Sequence, residues 1–265
     1  MSKIISLFDD KSYARLALNN REKYQKAKPF PHIVLDDFLP IDIAQKLAAE
    51  YPSIESSANS SWRLHKNNNT FRYFIDDSKD FPDSIKLFSC ALQQRSFISF
   101  LETISGIDGL ISDPYYIGGG AMSSSSGGFL NIHADFNWHQ KIQSWRRLNI
   151  LFYLTPNWNS SWEGNLELWS KSGDEKIIEI EPIFNRAVIF STKSNTFHGQ
   201  PVPLKTPKGI FRSVFSAFYY SANSAEGIDK EPHYTKYNKN NNNIKADFDK
   251  SPYSEDILKN YLQDL

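Results

Sequence analysis

Apolar positions recur at helical spacing along roughly the first hundred residues and at every second position beyond about residue 111. In the helical part, residues 9–27 combine good helix formers with little apolar periodicity, which specifies a helix only through propensity. PHIVLDDFLP (31–40) reads as a short strand ending at Pro40. A helix follows over 41–51, with Ala44, Leu47, Ala48 and Tyr51 on one face. The Ser- and Asn-rich stretch 53–70 reads as an exposed loop. Pro82 suits a first helical turn, and Ile85, Phe88, Leu92, Phe97 and Leu101 spread over 82–105 as two helices.

The period then changes. GGGAMSSSSGG (118–128) holds five of the twelve glycines and reads as a mobile loop, either a lid or plain surface. After it come short runs of β type: FLNIHADF, RLNILFYL, GNLELWS, KIIEIEP, RAVIFS and IFRSVFSAFYYS. Turn residues separate them at intervals typical of a sandwich or barrel. Helices first and strands second predict an α+β chain with a mainly β core and the N-terminal helices packed on one side. On this reading residues 1–222 form one domain, with helical support and first strands in 1–110 and the β core in 111–222. Residues 223–265 are a polar extension ending in a helix, where Ser251 can cap and Ile257, Leu258, Tyr261, Leu262 and Leu265 share a face.

Composition narrows the function. Thirty Lys+Arg balance thirty Asp+Glu, which removes the basic footprint of a nucleic-acid or anionic-membrane binder. Cys90 is the single cysteine, so neither an intrachain disulfide nor a thiolate metal cluster is expected. No stretch reaches the ~20 apolar residues of a membrane span. The five-residue apolar run near the N-terminus is short for a signal-peptide core, and a cytoplasmic protein is expected. Five of the six tryptophans (138, 145, 158, 162 and 169) crowd one part of the β region. They are either sheet packing or, for Trp138 and Trp145, walls of a substrate mouth.

Candidate chemistry lies in the same region. His133 and Asp135, two apart on one strand, share a face with Cα atoms roughly 6–7 Å apart. His198 follows the RAVIFS strand after a short turn. Two imidazoles and one carboxylate are the facial set that holds Fe(II) and leaves three coordination positions open. Arg212 opens the last strong strand, and a buried guanidinium requires an anionic partner. Asn149, Leu151 and Tyr153 share one face of RRLNILFYL, so Tyr153 can join the same anion site. His139 is a rival metal ligand or a substrate contact. Arg146 and Arg147 either bind an anionic substrate or cap a strand edge. Glu163 and Glu167 could form an acid/base pair, but Leu166 and Leu168 facing inward place them toward solvent.

The run GGFLNIHADFNWH…RRLNILFYLTPNW…WEGNLELW…PIFNRAVIFSTKSNTFHGQPVPL…RSVFSAFYY resembles the Fe(II)/2-oxoglutarate-dependent dioxygenases, in the branch related to prolyl 4-hydroxylases. The likeness spans about 111–222, and PFPHIVLDDFLP shares it. It implies a double-stranded β-helix (jelly roll), iron held by His133, Asp135 and His198, and the distal carboxylate of 2-oxoglutarate held by Arg212 and Tyr153. It implies Fe(II), 2-oxoglutarate and O2 as cofactor and cosubstrates, with ascorbate supporting activity, and succinate and CO2 as products. Many members carry Ser or Thr two residues after the arginine, where this chain has Val214, with Ser216 one step further along the face. Asp135 at the carboxylate position favours hydroxylation over halogenation. The substrate is then a prolyl or other amino-acid residue of a polypeptide, or a small molecule such as a free amino acid, sugar or natural product. Trp138, His139 and Arg147 are the candidate substrate contacts. Two further readings are a non-catalytic jelly-roll binding module and a Zn-dependent hydrolase or isomerase on the same ligands.

Overall fold

The computed structural model describes residues 3–55, 61–225, 229 and 231–238. Helix α1 (Lys11–Lys26) starts where the Asp10 carboxylate accepts the Ser12 N–H at 2.7 Å, satisfying a first-turn donor. Its buried residues Tyr13, Ala17 and Tyr24 form a narrow stripe, which explains why so polar a segment still docks. Helix α2 (Ile41–Ala49) matches the expected helix after Pro40, and α3 (Asp83–Ala91) and α4 (Arg95–Ser105) are the expected pair. In α4, Phe97, Phe100, Leu101 and Ile104 are buried at i, i+3, i+4 and i+7. The terminal helix expected at 251–265 lies outside the described residues.

The strands among the described residues are β1 (His32–Leu35), β2 (Arg63–Asn67), β3 (Thr70–Ile75), β4 (Ile111–Ser112), β5 (Gly120–Ser124), β6 (Phe129–Ala134) and β7 (Trp138–His139), followed by β8 (Ser144–Tyr153), β9 (Leu166–Trp169), β10 (Lys176–Ile180), β11 (Ala187–Ser191), β12 (His198–Gln200), β13 (Arg212–Ser221) and β14 (Lys236–Tyr237). In space they run β1, β11, β8, β13, β5, β3, β6, β12, β9, β10, with β2, β4, β7 and β14 pairing at the margins. Strand β3 bridges β5 and β6, so the half containing β8 and β13 faces the half containing β6 and β12. Side chains meet between the halves: the Phe190 ring of β11 lies edge-on to His198 of β12 at 4.7 Å. This is a double-stranded β-helix with helices on one face.

Alternation on β8 sorts the two sides. Leu148, Ile150 and Phe152 pack outward into the core shared with the helices, together with Ala187, Ile189, Phe215 and Ala217. Phe88 of α3 meets Phe152 and Phe215 edge-on at 5.0 and 5.6 Å. Tyr153, Val188, Phe190 and Val214 pack inward with Leu166 and Leu168. No helix among the described residues is long and apolar enough to cross a membrane.

Two expected loops contain strands. Within 53–70 and just beyond, β2 and β3 form a hairpin whose turn is closed by Asn67 Oδ1 accepting from the Asn69 and Thr70 N–H groups. Within 118–128, β5 lies between β13 and β3. It is a sheet strand and not a lid. Its glycine is required: at Gly120, with φ +82°, a Cβ would sit 2.3 Å from the Ile75 carbonyl oxygen. Glu167 also departs from expectation. It is 4% exposed, accepting from the Trp169 indole at 2.8 Å and pairing with Lys176.

Candidate metal and cosubstrate site

The ladder between β6 and β12 sets His198 directly opposite His133, with ring centroids 4.5 Å apart. Asp135 follows β6 by one residue and turns back toward both rings, its Oδ1 3.5 Å from His133 Nε2 and its Oδ2 3.4 Å from His198 Nε2. One ligand atom from each of the three lies within 4.8 Å of the others. Each imidazole is oriented from behind. His133 Nδ1 is 2.8 Å from the Asn131 carbonyl and His198 Nδ1 is 3.0 Å from the Thr196 carbonyl. A carbonyl only accepts, so Nδ1 carries the proton and the Nε2 lone pair is left facing Asp135. Burial lowers the His198 imidazole to about 4 despite the neighbouring Asp135 carboxylate, which keeps it a neutral ligand. Burial pushes Asp135 up, but Arg146, followed by the two imidazoles, outweighs it and holds the carboxyl well below its usual range. Two neutral imidazoles and a carboxylate turned to one point fit a divalent transition metal such as Fe(II).

The second part of the site sits at the start of β13. Arg212 Nε donates to the Gly164 carbonyl at 2.8 Å, and the guanidinium carbon lies 5.1 Å above the Tyr153 ring. Arg212 Nη2 is 3.5 Å from the Tyr153 hydroxyl. Gly164 has φ +83°, and a Cβ there would come within 2.5 Å of Leu204 and 3.2 Å of Arg212. Only glycine allows that carbonyl to reach the guanidinium. Burial raises the Tyr153 phenol against the opposing pull of Arg212, so the hydroxyl stays a donor at neutral pH. Arg212, His133, Asp135 and His198 line one cavity, together with Val214 and Ser216. The Ser216 hydroxyl is fully buried without a hydrogen-bond partner.

The three candidate substrate residues lie elsewhere. His139 is buried, with Nε2 3.3 Å from Asp113 Oδ1 and its ring edge-on to Tyr220. Arg147 donates to Ser221 Oγ at 2.8 Å and to the Asn223 carbonyl at 3.0 Å, which is the strand-edge alternative. Trp138 packs edge-on to Trp145 at 5.0 Å. None of the three is among the cavity-lining residues. Two residues that do line it, Asn149 and Arg146, touch Asp135. The sequence signal for Asn149 was a polar residue on the inward face of an apolar strand. The sequence reading favoured Arg147 as a substrate contact, whereas it is Arg146 that lines the cavity, turned inward by a bulge in the β8–β13 ladder.

Fold and site together place a candidate metal centre inside a jelly roll. The sequence model of the 2OG-Fe(II) oxygenase superfamily matches residues 120–220, the span that contains His133, Asp135, His198 and Arg212. Among solved structures, a Trichoplax adhaerens prolyl hydroxylase, determined in complex with a hypoxia inducible factor oxygen degradation domain peptide, is similar at 20% identity, TM-score 0.57, over 80% of this chain and 91% of its own. A Pseudomonas putida prolyl-4-hydroxylase is similar at 16% identity, TM-score 0.51, over 83% of this chain and 100% of its own. No curated protein sequence matches the chain. Residues 120–220 thus match the 2OG-Fe(II) oxygenase superfamily model, and the chain shares the fold of the two prolyl hydroxylases.

Proposed function

We propose that His133, Asp135 and His198 hold Fe(II), that Arg212 and Tyr153 hold the distal carboxylate of 2-oxoglutarate, and that the enzyme hydroxylates a prolyl or similar residue of a polypeptide. The observation that carries this reading is the convergence of two back-tethered imidazoles and one carboxylate in a cavity that also contains a strand-borne arginine. Bound Fe(II) and 2-oxoglutarate supply the oxidising chemistry, consuming O2 and releasing succinate and CO2. The protein's part is placement. The Asn131 and Thr196 carbonyls fix both imidazoles as neutral Nε2 donors. The Gly164 carbonyl locks Nε of Arg212, turning the other guanidinium nitrogens to an anion, and planar bidentate pairing selects a carboxylate. Phe190, Leu166 and Val214 form the apolar walls that exclude water. The polypeptide substrate is supported by what the two similar proteins are named for.

The test is direct. Protein supplied with Fe(II), 2-oxoglutarate and a proline-containing peptide should form succinate and a peptide heavier by one oxygen atom. His133→Ala, Asp135→Ala and His198→Ala should each form neither. Undiminished succinate in those three variants removes the metal assignment. Succinate without peptide oxidation removes only the substrate.

A further inference from the structure

The placement of Asp135 depends on two residues that bind neither metal nor cosubstrate in the reading above. Arg146 is 2% exposed. Its guanidinium lies 3.5 Å from the ring centroid of Phe218 and 4.6 Å from that of Phe136. Arg146 Nε donates to Asn149 Oδ1 at 2.9 Å, and Asn149 Nδ2 donates to Asp135 Oδ2 at 2.8 Å. Arg146 Nη2 closes the triangle, 3.2 Å from the same Asp135 oxygen. The amide of Asn149 thereby has one orientation only, since its oxygen must face the guanidinium and its nitrogen the carboxylate.

The backbone is shaped for this contact. Along the β8–β13 ladder Leu148 pairs with Tyr219, but Tyr220 pairs with Arg146, so Arg147 is passed over. Strict alternation from Leu148 would send Arg146 outward to the helices, and the one-residue slip returns it to the face of Asn149.

We propose that Arg146 and Asn149 are positioning residues that engage Asp135 Oδ2 and leave Oδ1 as the oxygen that binds the metal. The inference rests on the metal assignment made above. A free carboxylate beside a divalent ion can chelate it with both oxygens. Two imidazoles and one oxygen leave three of six positions open, enough for a chelating cosubstrate and O2, whereas a chelating Asp135 leaves two. Holding Oδ2 on protein donors keeps the third position. The aromatic rings on the guanidinium exclude water, which strengthens the pairing and stops Arg146 from swinging away.

Co(II) in place of Fe(II), without oxygen, reports coordination through its visible spectrum and 2-oxoglutarate binding through the change that follows. Wild-type protein should bind one Co(II) and respond to 2-oxoglutarate; failure to bind Co(II) at all overturns the metal reading and this inference with it. Given wild-type binding, Arg146→Met should retain Co(II) with an altered spectrum and bind 2-oxoglutarate about tenfold or more weakly, the usual scale for losing an outer-shell partner. Arg146→Lys, which keeps a cation within reach, should recover much of the wild-type spectrum. A wild-type spectrum and affinity in Arg146→Met overturn the positioning role while leaving the metal assignment standing. Should Arg146→Met fail to fold, Asn149→Leu decides: a changed spectrum supports the role, and an unchanged one overturns it.

Discussion

At the scale of single residues, the site divides into groups that are replaceable in part and groups that are not. In the proposed site Arg212 would supply a charge-assisted pair to the 2-oxoglutarate carboxylate, and losing such a bond costs about 1.5–3 kcal/mol. Arg212→Ala should therefore raise the 2-oxoglutarate concentration for half-maximal succinate formation roughly ten- to a hundredfold. Tyr153→Phe removes a neutral donor only, at about 1 kcal/mol, and the shift should be about fivefold. A titration that ranks the two variants the other way would place the anion nearer Tyr153. His133 and Asp135 were singled out in the sequence by their two-residue spacing, and they do meet, although β6 ends at Ala134 and Asp135 turns back toward His133 from one residue beyond the strand. Asn149 and Arg146 were not assigned, since their partner Asp135 lies on the opposite half of the sheet and the bulge that aims Arg146 leaves no mark in composition.

Among the elements, β5 and the β2–β3 hairpin show what composition conceals. Strand β5 is built from Gly, Ala, Met and Ser because it is squeezed between β3 and β13, and small residues there look like a loop. In 63–75 the turn asparagines masked TFRYFI, whose aromatic alternation is a strand signal. The long apolar strands β8, β11 and β13 were read correctly because one whole face of each is buried against helices. The structure gives each class a measurable consequence. Gly120→Ala forces a Cβ against the Ile75 carbonyl at a positive φ, a strain of about 1–3 kcal/mol. The midpoint of thermal unfolding should fall by several degrees. Phe152→Ala, which removes a ring contacting both Phe88 and Phe38, should cost about 3–5 kcal/mol. An unchanged melting midpoint in Gly120→Ala would mean that β5 is not held where the ladder places it.

For the molecule as a whole, equal numbers of acidic and basic residues hide a local imbalance. Three arginines, Arg72, Arg146 and Arg212, line the cavity that holds Asp135, an interior suited to a dianion bound beside a divalent cation. Anything that binds only the folded state stabilises it, by about 2.7 kcal/mol at a free concentration 100 times the dissociation constant. For a chain of this length that is a rise of roughly 5–10 °C in melting midpoint. Metal and cosubstrate can thus be separated without knowing the substrate. Mn(II), which does not turn over, should raise the midpoint of the wild-type protein, and 2-oxoglutarate should raise it further only once Mn(II) is present. His198→Ala should show neither rise. Arg212→Ala should keep the first and lose most of the second, because it removes the carboxylate's partner and leaves all three ligands in place. If His198→Ala responds to Mn(II) as the wild type does, the metal sits elsewhere. If 2-oxoglutarate stabilises Arg212→Ala fully, the anion is held by another of the cavity's arginines, and Arg72 is the next to replace.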